Sequence, residues 1–174
     1  MTKGEARRLF LRYLGEATVN GRDKNDPDLI AAFDDLFCAA IVQVGASYPN
    51  AEYVKTDGRW TAPPDMVEVR RMLSSRGTPV YYTYRGNRLF TFSEPCTVEY
   101  MRAPHMPDAA LGDDAVIDLD ERVCQLVPLQ AAVNAAISMP EYEYMVPYIT
   151  AELNAFSATL DERSAPVYRQ VYAV

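Results

Sequence analysis

The chain has 174 residues and a mass of 19.5 kDa, which is the size of one domain. Its 17 basic and 24 acidic residues give a net charge of −7, which argues against a protein that grips nucleic-acid phosphates through a basic surface. A hydrophobic fraction of 49% argues against disorder of the whole chain. No apolar run approaches the ~20 residues that span a bilayer, so we expect no membrane association.

Two amphipathic helices are predicted in the first quarter of the chain. In residues 3–18 apolar side chains recur at steps of three and four, the pattern of one apolar helix face. Asp26-Pro27 is typical of a helix start, because the carboxylate caps free N–H groups and proline needs none there. This second helix should run to about Val44. Its far side is also poor in charge around Cys38 and Val42, which leaves two interpretations open: a central core helix, or a helix covered by another subunit.

Residues 52–102 change to the pattern of β-strands. Segments rich in β-branched and aromatic residues lie at 51–55, 59–61 and 97–101. Two more, 80–84 and 89–92, flank Arg85-Gly86-Asn87-Arg88, and a Gly-Asn pair in that position predicts a β-hairpin. We therefore expect one small antiparallel sheet set between helices.

Helical spacing returns after a proline-containing loop over 103–117. Apolar residues from Leu119 to Ile137 predict a third helix, which Pro128 should kink because proline removes a backbone hydrogen bond. Pro140 opens a fourth helix, and Pro147 either kinks it or starts its regular part. The predicted fold is mainly α: a four-helix bundle domain over 1–164 with a small β insertion at 52–102, followed by an extended C-terminal arm at 165–174.

The sequence offers little for catalysis. His105 is the only histidine, and no GxSxG elbow or activated cysteine accompanies it. Cys38, Cys96 and Cys124 are odd in number and form no CxxC pair, which argues against a zinc ribbon or a redox motif. Cys38 and Cys124 lie among apolar residues, which favours buried free thiols made in a reducing compartment. The acidic cluster at 113–121 lacks the ligand order of a calcium loop. We therefore predict no catalytic residue, no metal ligand and no cofactor.

The twelve tyrosines suit protein interfaces, since each ring buries area while its hydroxyl stays polar. For the hairpin tyrosines a half-buried sheet explains the pattern equally well. For Tyr168 and Tyr172 the interface interpretation is favoured, because the arm has no helix or strand pattern that would frame it.

A resemblance to a known family rests on four segments. Arg8–Glu16 is similar to its first helix. Val98-Glu99-Tyr100 and Pro104 are followed by the acidic run 113–121 and then by Leu126-Val127-Pro128-Leu129-Gln130-Ala131-Ala132. This order resembles the head–tail adaptor (connector) proteins of tailed bacteriophages and gene transfer agents.

The resemblance implies a ring, typically of twelve copies, in the neck of the virion beneath the portal, whose subunits are made in the host cytoplasm. Such a ring prolongs the channel for genomic double-stranded DNA, which passes without specific binding, and provides a platform for a stopper or tail-tube protein. The resemblance also implies that the C-terminal arm docks on the portal protein. The arm residues expected to dock are Pro166, Val167, Tyr168, Arg169, Val171, Tyr172 and Val174. We expect contacts to the next ring subunit or to the tail at Tyr81, Tyr82, Tyr84, Phe90, Phe92, Cys38 and Val42.

Two alternatives stay open. One is a small metal- or pocket-dependent enzyme whose site would use the 105–121 loop with His105 and Asp118. The other is a stopper or tail-completion protein of the same particle, which would share the logic of ring assembly.

Overall fold

The computed structural model describes residues 1–15, 27–106 and 112–161. The predicted C-terminal arm and the capping residue Asp26 lie outside these residues, so the division into a 1–164 domain and an arm stays a prediction. The described chain forms two compact units. The helical unit comprises the described residues of 1–48 and 105–161, and the β unit comprises 49–104.

The helical unit contains four α-helices among its described residues. They are α1 (Lys3–Tyr13), α2 (Pro27–Ser47), α3 (Leu126–Ser138) and α4 (Val146–Asp161). Short 3₁₀ segments, Val123–Gln125 and Pro140–Met145, precede α3 and α4. The helix expected over 3–18 ends at Tyr13, because Gly15 turns the chain at a φ of 77° that glycine tolerates. The second helix begins at Pro27, as predicted, and runs to Ser47.

The central helix is α3, which packs against α1, α2 and α4. Most of its side chains are buried, and four of these are alanines, which let neighbouring helices approach closely. One face of α2 meets this core through Leu29, Phe33 and Phe37, and the rings of Phe33 and Phe37 stack at 5.2 Å. The core therefore centres on α3, and α2 contributes one face to it.

Of the two proline predictions for the C-terminal helices, one is wrong and one is confirmed. Because α3 begins only at Leu126, Pro128 lies in its first turn, where no backbone N–H is required. The predicted kink is therefore wrong. Pro147 is the second residue of α4, which confirms that the regular part of the last helix starts there.

The start of the chain is hydrogen-bonded to the segment 113–115, which lies between the β unit and α3. Thr2 and Glu5 form a reciprocal capping box at the N-terminus of α1. Lys3 N–H donates to the carbonyl of Ala115 at 2.7 Å, and Gly4 N–H donates to that of Asp113 at 2.9 Å. A Cβ placed on Gly4 would lie 2.9 Å from Asp113 Cβ, so this close approach requires glycine.

By length and composition, α2 is able to cross a membrane. Asp28–Ser47 spans 20 residues with a mean hydropathy of 1.7. The expectation that no apolar run approaches this length is wrong for this helix. The core helix of a globular domain meets the same criterion, and here the Leu29, Phe33 and Phe37 face of α2 lies in the core of the helical unit.

The β unit consists of two three-stranded antiparallel sheets. Its strands are β1 (Asn50–Thr56), β2 (Arg59–Thr61), β3 (Met66–Ser74), β4 (Tyr82–Arg85), β5 (Leu89–Phe92) and β6 (Cys96–Arg102). The strand order is β1-β6-β3 in one sheet and β2-β5-β4 in the other. The predicted hairpin is confirmed as β4–β5, with Tyr84 opposite Phe90 and positive φ angles at Asn87 and Arg88 in its turn. A small core of its own includes Ala62, Met72, Val80 and Val98.

The predicted fold class is wrong. The described structure is 48% helical and 26% strand, so it is an α+β fold and not a four-helix bundle with a small inserted sheet. The strand that sequence reasoning missed is β3, the longest of the six. Its register against β6 shifts between Met66 and Glu68 and again between Val69 and Arg71, which interrupts the alternation of buried and exposed side chains.

Candidate interaction surfaces

The first candidate surface lies on stretches of α2 and α3 that contain no charged residue; among the described residues, charges come near it at Cys38, which lies close to Asp34, Lys3 and Asp35. No Asp, Glu, Lys or Arg occurs between residues 36 and 51, or between 123 and 140. Part of these two stretches is exposed. We call Cys38, Val42, Gln43, Asn134 and Ile137 the α2–α3 surface; Val42, Gln43 and Ile137 are exposed, whereas Cys38 and Asn134 are half-buried. Charge depletion of this kind is typical of the centre of a protein interface.

Amides link the two helices of this surface. Asn134 Nδ2 donates to Gln43 Oε1 at 3.0 Å, and Gln130 Nε2 donates to Asn134 Oδ1 at 3.2 Å. These bonds satisfy amide groups without a charge, so the surface can be covered by a partner at a smaller desolvation cost than a charged one.

The second candidate surface is the free side of β4, the edge strand of its sheet. All four residues of β4 are exposed, and the preceding Tyr81 is 83% exposed. We call Tyr81, Tyr82, Tyr84 and Arg85 the hairpin edge. A row of unpaired strand groups with large apolar side chains is a template for another chain unless something covers it.

Aromatic rings support the hairpin edge from within the β unit. The ring centroid of Phe90 lies 5.7 Å from that of Tyr82, 5.0 Å from that of Tyr84 and 5.4 Å from that of Trp60. Two of the residues predicted to make contacts, Phe90 and Phe92, are therefore less exposed than the tyrosines. Phe90 is buried and Phe92 is half-buried, so both support the exposed rings and neither belongs to the outer surface.

The cysteines do not resemble catalytic nucleophiles. Burial raises the pKa of the Cys38, Cys96 and Cys124 thiols, whereas a reactive cysteine needs a lowered pKa. All three are free thiols. Cys124 is buried, as predicted, whereas Cys38, which was also expected to be buried, is half-buried; Cys96 is buried as well.

The structure brings the two residues of the enzyme alternative together. His105 Nδ1 lies 3.0 Å from Asp118 Oδ2, which also accepts the backbone N–H of His105 at 2.7 Å. The imidazole is largely exposed, and the pairing holds the loop onto the segment before α3. In the described parts of the chain, no group of three His, Cys, Asp or Glu side chains is placed to hold a metal ion.

An open cleft of about 390 Å³ lies in the helical unit beside α1. Its lining residues are Met1, Glu5, Arg8, Leu9, Glu121 and Gln125. Glu5 belongs to the capping box, and the backbone N–H of Thr2 is the main reason that its pKa is lowered. The carboxylate is therefore committed to the start of the helix.

Seven predicted docking residues, from Pro166 to Val174, lie outside the described residues. Sequence reasoning missed one member of the α2–α3 surface. Ile137 matched the spacing of the core face but is exposed near the end of α3. The absence of any charge in the surrounding stretch was the signal that could have found it.

No protein-family model matches the chain, and a search of curated protein sequences finds no match.

Proposed function

We propose that this protein is a non-enzymatic structural component, a head–tail adaptor that forms a ring beneath the portal of a tailed phage or gene transfer agent. The ring would extend the DNA channel and carry the stopper or tail. The proposal joins the resemblance found in the sequence with the two exposed surfaces described above.

The observation that carries the proposal is the exposed, uncharged α2–α3 surface. In a chain with 24% charged residues, two uncharged stretches are brought together by the packing of α2 on α3. Val42 and Ile137 are exposed on stretches without charge, and depletion of charge is typical of the centre of an interface. A subunit of a ring needs such surfaces, because each copy contacts its neighbours through two different faces.

The charge of the chain fits passage of DNA. The net charge of −7, repeated around a ring, would repel phosphates and keep the duplex from adhering. The same charge would oppose non-specific association of free subunits.

The proposal is tested by placing a charge in the α2–α3 surface. Val42 is 56% exposed and Val67, on β3, is 57% exposed, so Val42→Asp and Val67→Asp form a matched pair. Both variants should fold, as judged by circular dichroism and thermal unfolding. Val42→Asp should abolish ring assembly and yield particles without tails, whereas Val67→Asp should assemble normally. Equal assembly of both variants would contradict the role of this surface.

The arm is tested separately. Deletion of residues 165–174 should leave a folded protein that forms rings but does not bind the portal, so that filled heads leak DNA or lack tails. Normal tailed particles from the deleted chain would contradict docking by the arm.

A further inference from the structure

The charges of the chain are divided unequally between its two units. Residues 49–104 contain eight basic and six acidic residues, whereas the rest of the chain contains nine basic and 18 acidic residues. The β unit is therefore weakly positive, and the remainder is strongly negative. Such a division favours contacts between unlike units of different copies.

The positive charge of the β unit is concentrated near the hairpin. The stretch from Val69 to Ser93 holds five arginines and no acidic residue. Arg70 and Arg71 pair with the buried carboxylate of Glu99. Arg85 forms no ion pair with any described residue and ends β4, on the opposite face of the strand from the exposed Tyr82 and Tyr84; the free edge of β4 carries all three side chains.

The helical unit presents a surface of opposite charge and similar aromatic content. Tyr148, which is 72% exposed, and Glu152 lie one turn apart on α4, and the exposed Tyr144 lies in the 3₁₀ segment just before this helix. We call these three residues the α4 face. Glu152 is the only charged residue between Val146 and Leu160, and it forms no ion pair with any described residue.

Small side chains surround this glutamate. Ala151 and Ala155 are exposed beside it, whereas Ile149 and Leu153, on the adjoining side of α4, pack on the core. The α4 face is thus exposed, has small side chains around its glutamate and is bordered by aromatic rings. A protruding aromatic edge with one cation is its complement in shape and charge.

We infer that the hairpin edge of one copy docks on the α4 face of a second copy, with Arg85 against Glu152 and the tyrosines of both surfaces packed together. This inference deepens the proposed function, on which it rests, by naming a contact between neighbouring copies that acts in addition to the α2–α3 surface. The faces differ, so the contact is heterologous: each copy keeps one hairpin edge and one α4 face free for the next, and a closed series of such contacts is a ring.

A second copy fits the hairpin edge better than a nucleic acid does. Aromatic side chains next to arginine also occur in proteins that bind single strands. The whole chain is acidic, however, and only Arg85 on the hairpin edge carries charge, which is too little for a phosphate-dominated interaction.

The inference is tested by reversing the charges separately and together. Arg85→Glu places two carboxylates at the contact, and Glu152→Arg places two cations there, so each single variant should weaken self-association by about tenfold or more. The double variant R85E/E152R restores an opposite pair, as does an equimolar mixture of the two single variants. Mass photometry and sedimentation velocity over a range of concentrations measure the association.

Matched controls are Arg76→Glu and Asp57→Arg, which reverse exposed charges outside the two faces and outside the α2–α3 surface, and they should leave association unchanged. The inference is supported if both single variants dissociate and the double variant and the mixture reassemble. It is overturned if the wild-type chain stays monomeric, or if its oligomers tolerate both single reversals. Binding of a fluorescent single-stranded oligonucleotide that is lost in Arg85→Glu, with unchanged association, would overturn it in favour of a nucleic acid.

These results separate the two proposals. Oligomers that ignore the charge reversals but occupy the neck of particles would leave the adaptor function standing without this contact. Charge-dependent oligomers that are absent from particles would leave the contact standing without the adaptor function.

Discussion

The ring of Tyr84 lies 5.0 Å from the ring of Phe90, centroid to centroid, across the β4–β5 pair. The two side chains are directly opposite, yet Tyr84 is 57% exposed and Phe90 is 6% exposed. The inner ring belongs to the core of the β unit, and the outer ring rests on it with much of its surface free. This pairing explains how a small sheet holds large aromatic side chains at its edge in a fixed place.

The first prediction separates these two rings. Phe90→Ala removes a buried aromatic side chain and should destabilise the β unit by about 3 kcal/mol or more. Tyr84→Ala removes a ring that is mostly in contact with water and should lower the stability by less than about 1 kcal/mol. Urea unfolding of both variants, followed by circular dichroism, measures the difference. Equal losses would show that Tyr84 is part of the core.

The exposed ring should matter for association instead. If the hairpin edge is a docking surface, Tyr84→Ala weakens self-association while the fold persists. A variant with wild-type association would remove Tyr84 from the contact.

The second prediction concerns Gly4 in the first turn of α1. In the interior of a helix, alanine is more favourable than glycine by up to about 1 kcal/mol. Its Cβ would however lie 2.9 Å from Asp113 Cβ and 3.2 Å from the carbonyl oxygen of Asp113. Forcing such atoms apart costs about 1–3 kcal/mol. Gly4→Ala should therefore lower the free energy of unfolding by about 1 kcal/mol.

Gly112→Ala is the control for this change. A Cβ on Gly112 meets no atom within 4 Å, and the residue lies in the same segment as Asp113. Thermal unfolding of both variants should show a loss for Gly4→Ala alone. A Gly4→Ala variant at least as stable as the wild type would show that the segment yields without cost.

The third prediction is a loss of stability at alkaline pH. Burial raises the pKa of the Cys38, Cys96 and Cys124 thiols above the ordinary value of 9.0, and it raises the pKa of the Tyr13 and Tyr100 hydroxyls above 10.0. Above these ordinary values the unfolded chain releases protons that the folded chain retains. The stability present below pH 9 should therefore fall as the pH rises through the folded-state pKa values.

Cys124→Ala isolates one thiol in this titration. The variant should lose less stability than the wild type between neutral pH and the alkaline range, although its stability at neutral pH is lower or equal. Chemical unfolding in reducing buffer at a series of pH values measures the slope. Identical slopes in the two proteins would contradict a raised pKa at Cys124.

Local chemistry in the sequence predicted the elements that carry strong signals. Asp26-Pro27 predicted the start of α2 at Pro27, and the Gly-Asn pair between aromatic segments predicted the β4–β5 hairpin. Elements whose pattern is interrupted were missed. The bulges of β3 break its alternation, so the fold was assigned as mainly α when its strands form two sheets.

The candidate surfaces were only partly predictable for a related reason. Val42 and Tyr81 were expected at an interface and are exposed. Phe90 was also expected there but is buried, whereas Ile137 was expected in the core and is exposed. A spacing of three and four assigns a residue to a helix face but does not show where the covering helix ends. Ile137 lies near the end of α3, where no described neighbour buries it.

The most direct measurement of the central claim is electron cryomicroscopy of intact particles produced with the wild-type chain and with Val42→Asp. We predict a ring of this protein in the neck between portal and tail in the wild type, and heads without ring or tail in the variant. Complete tailed particles whose neck holds no copy of this protein would contradict the account.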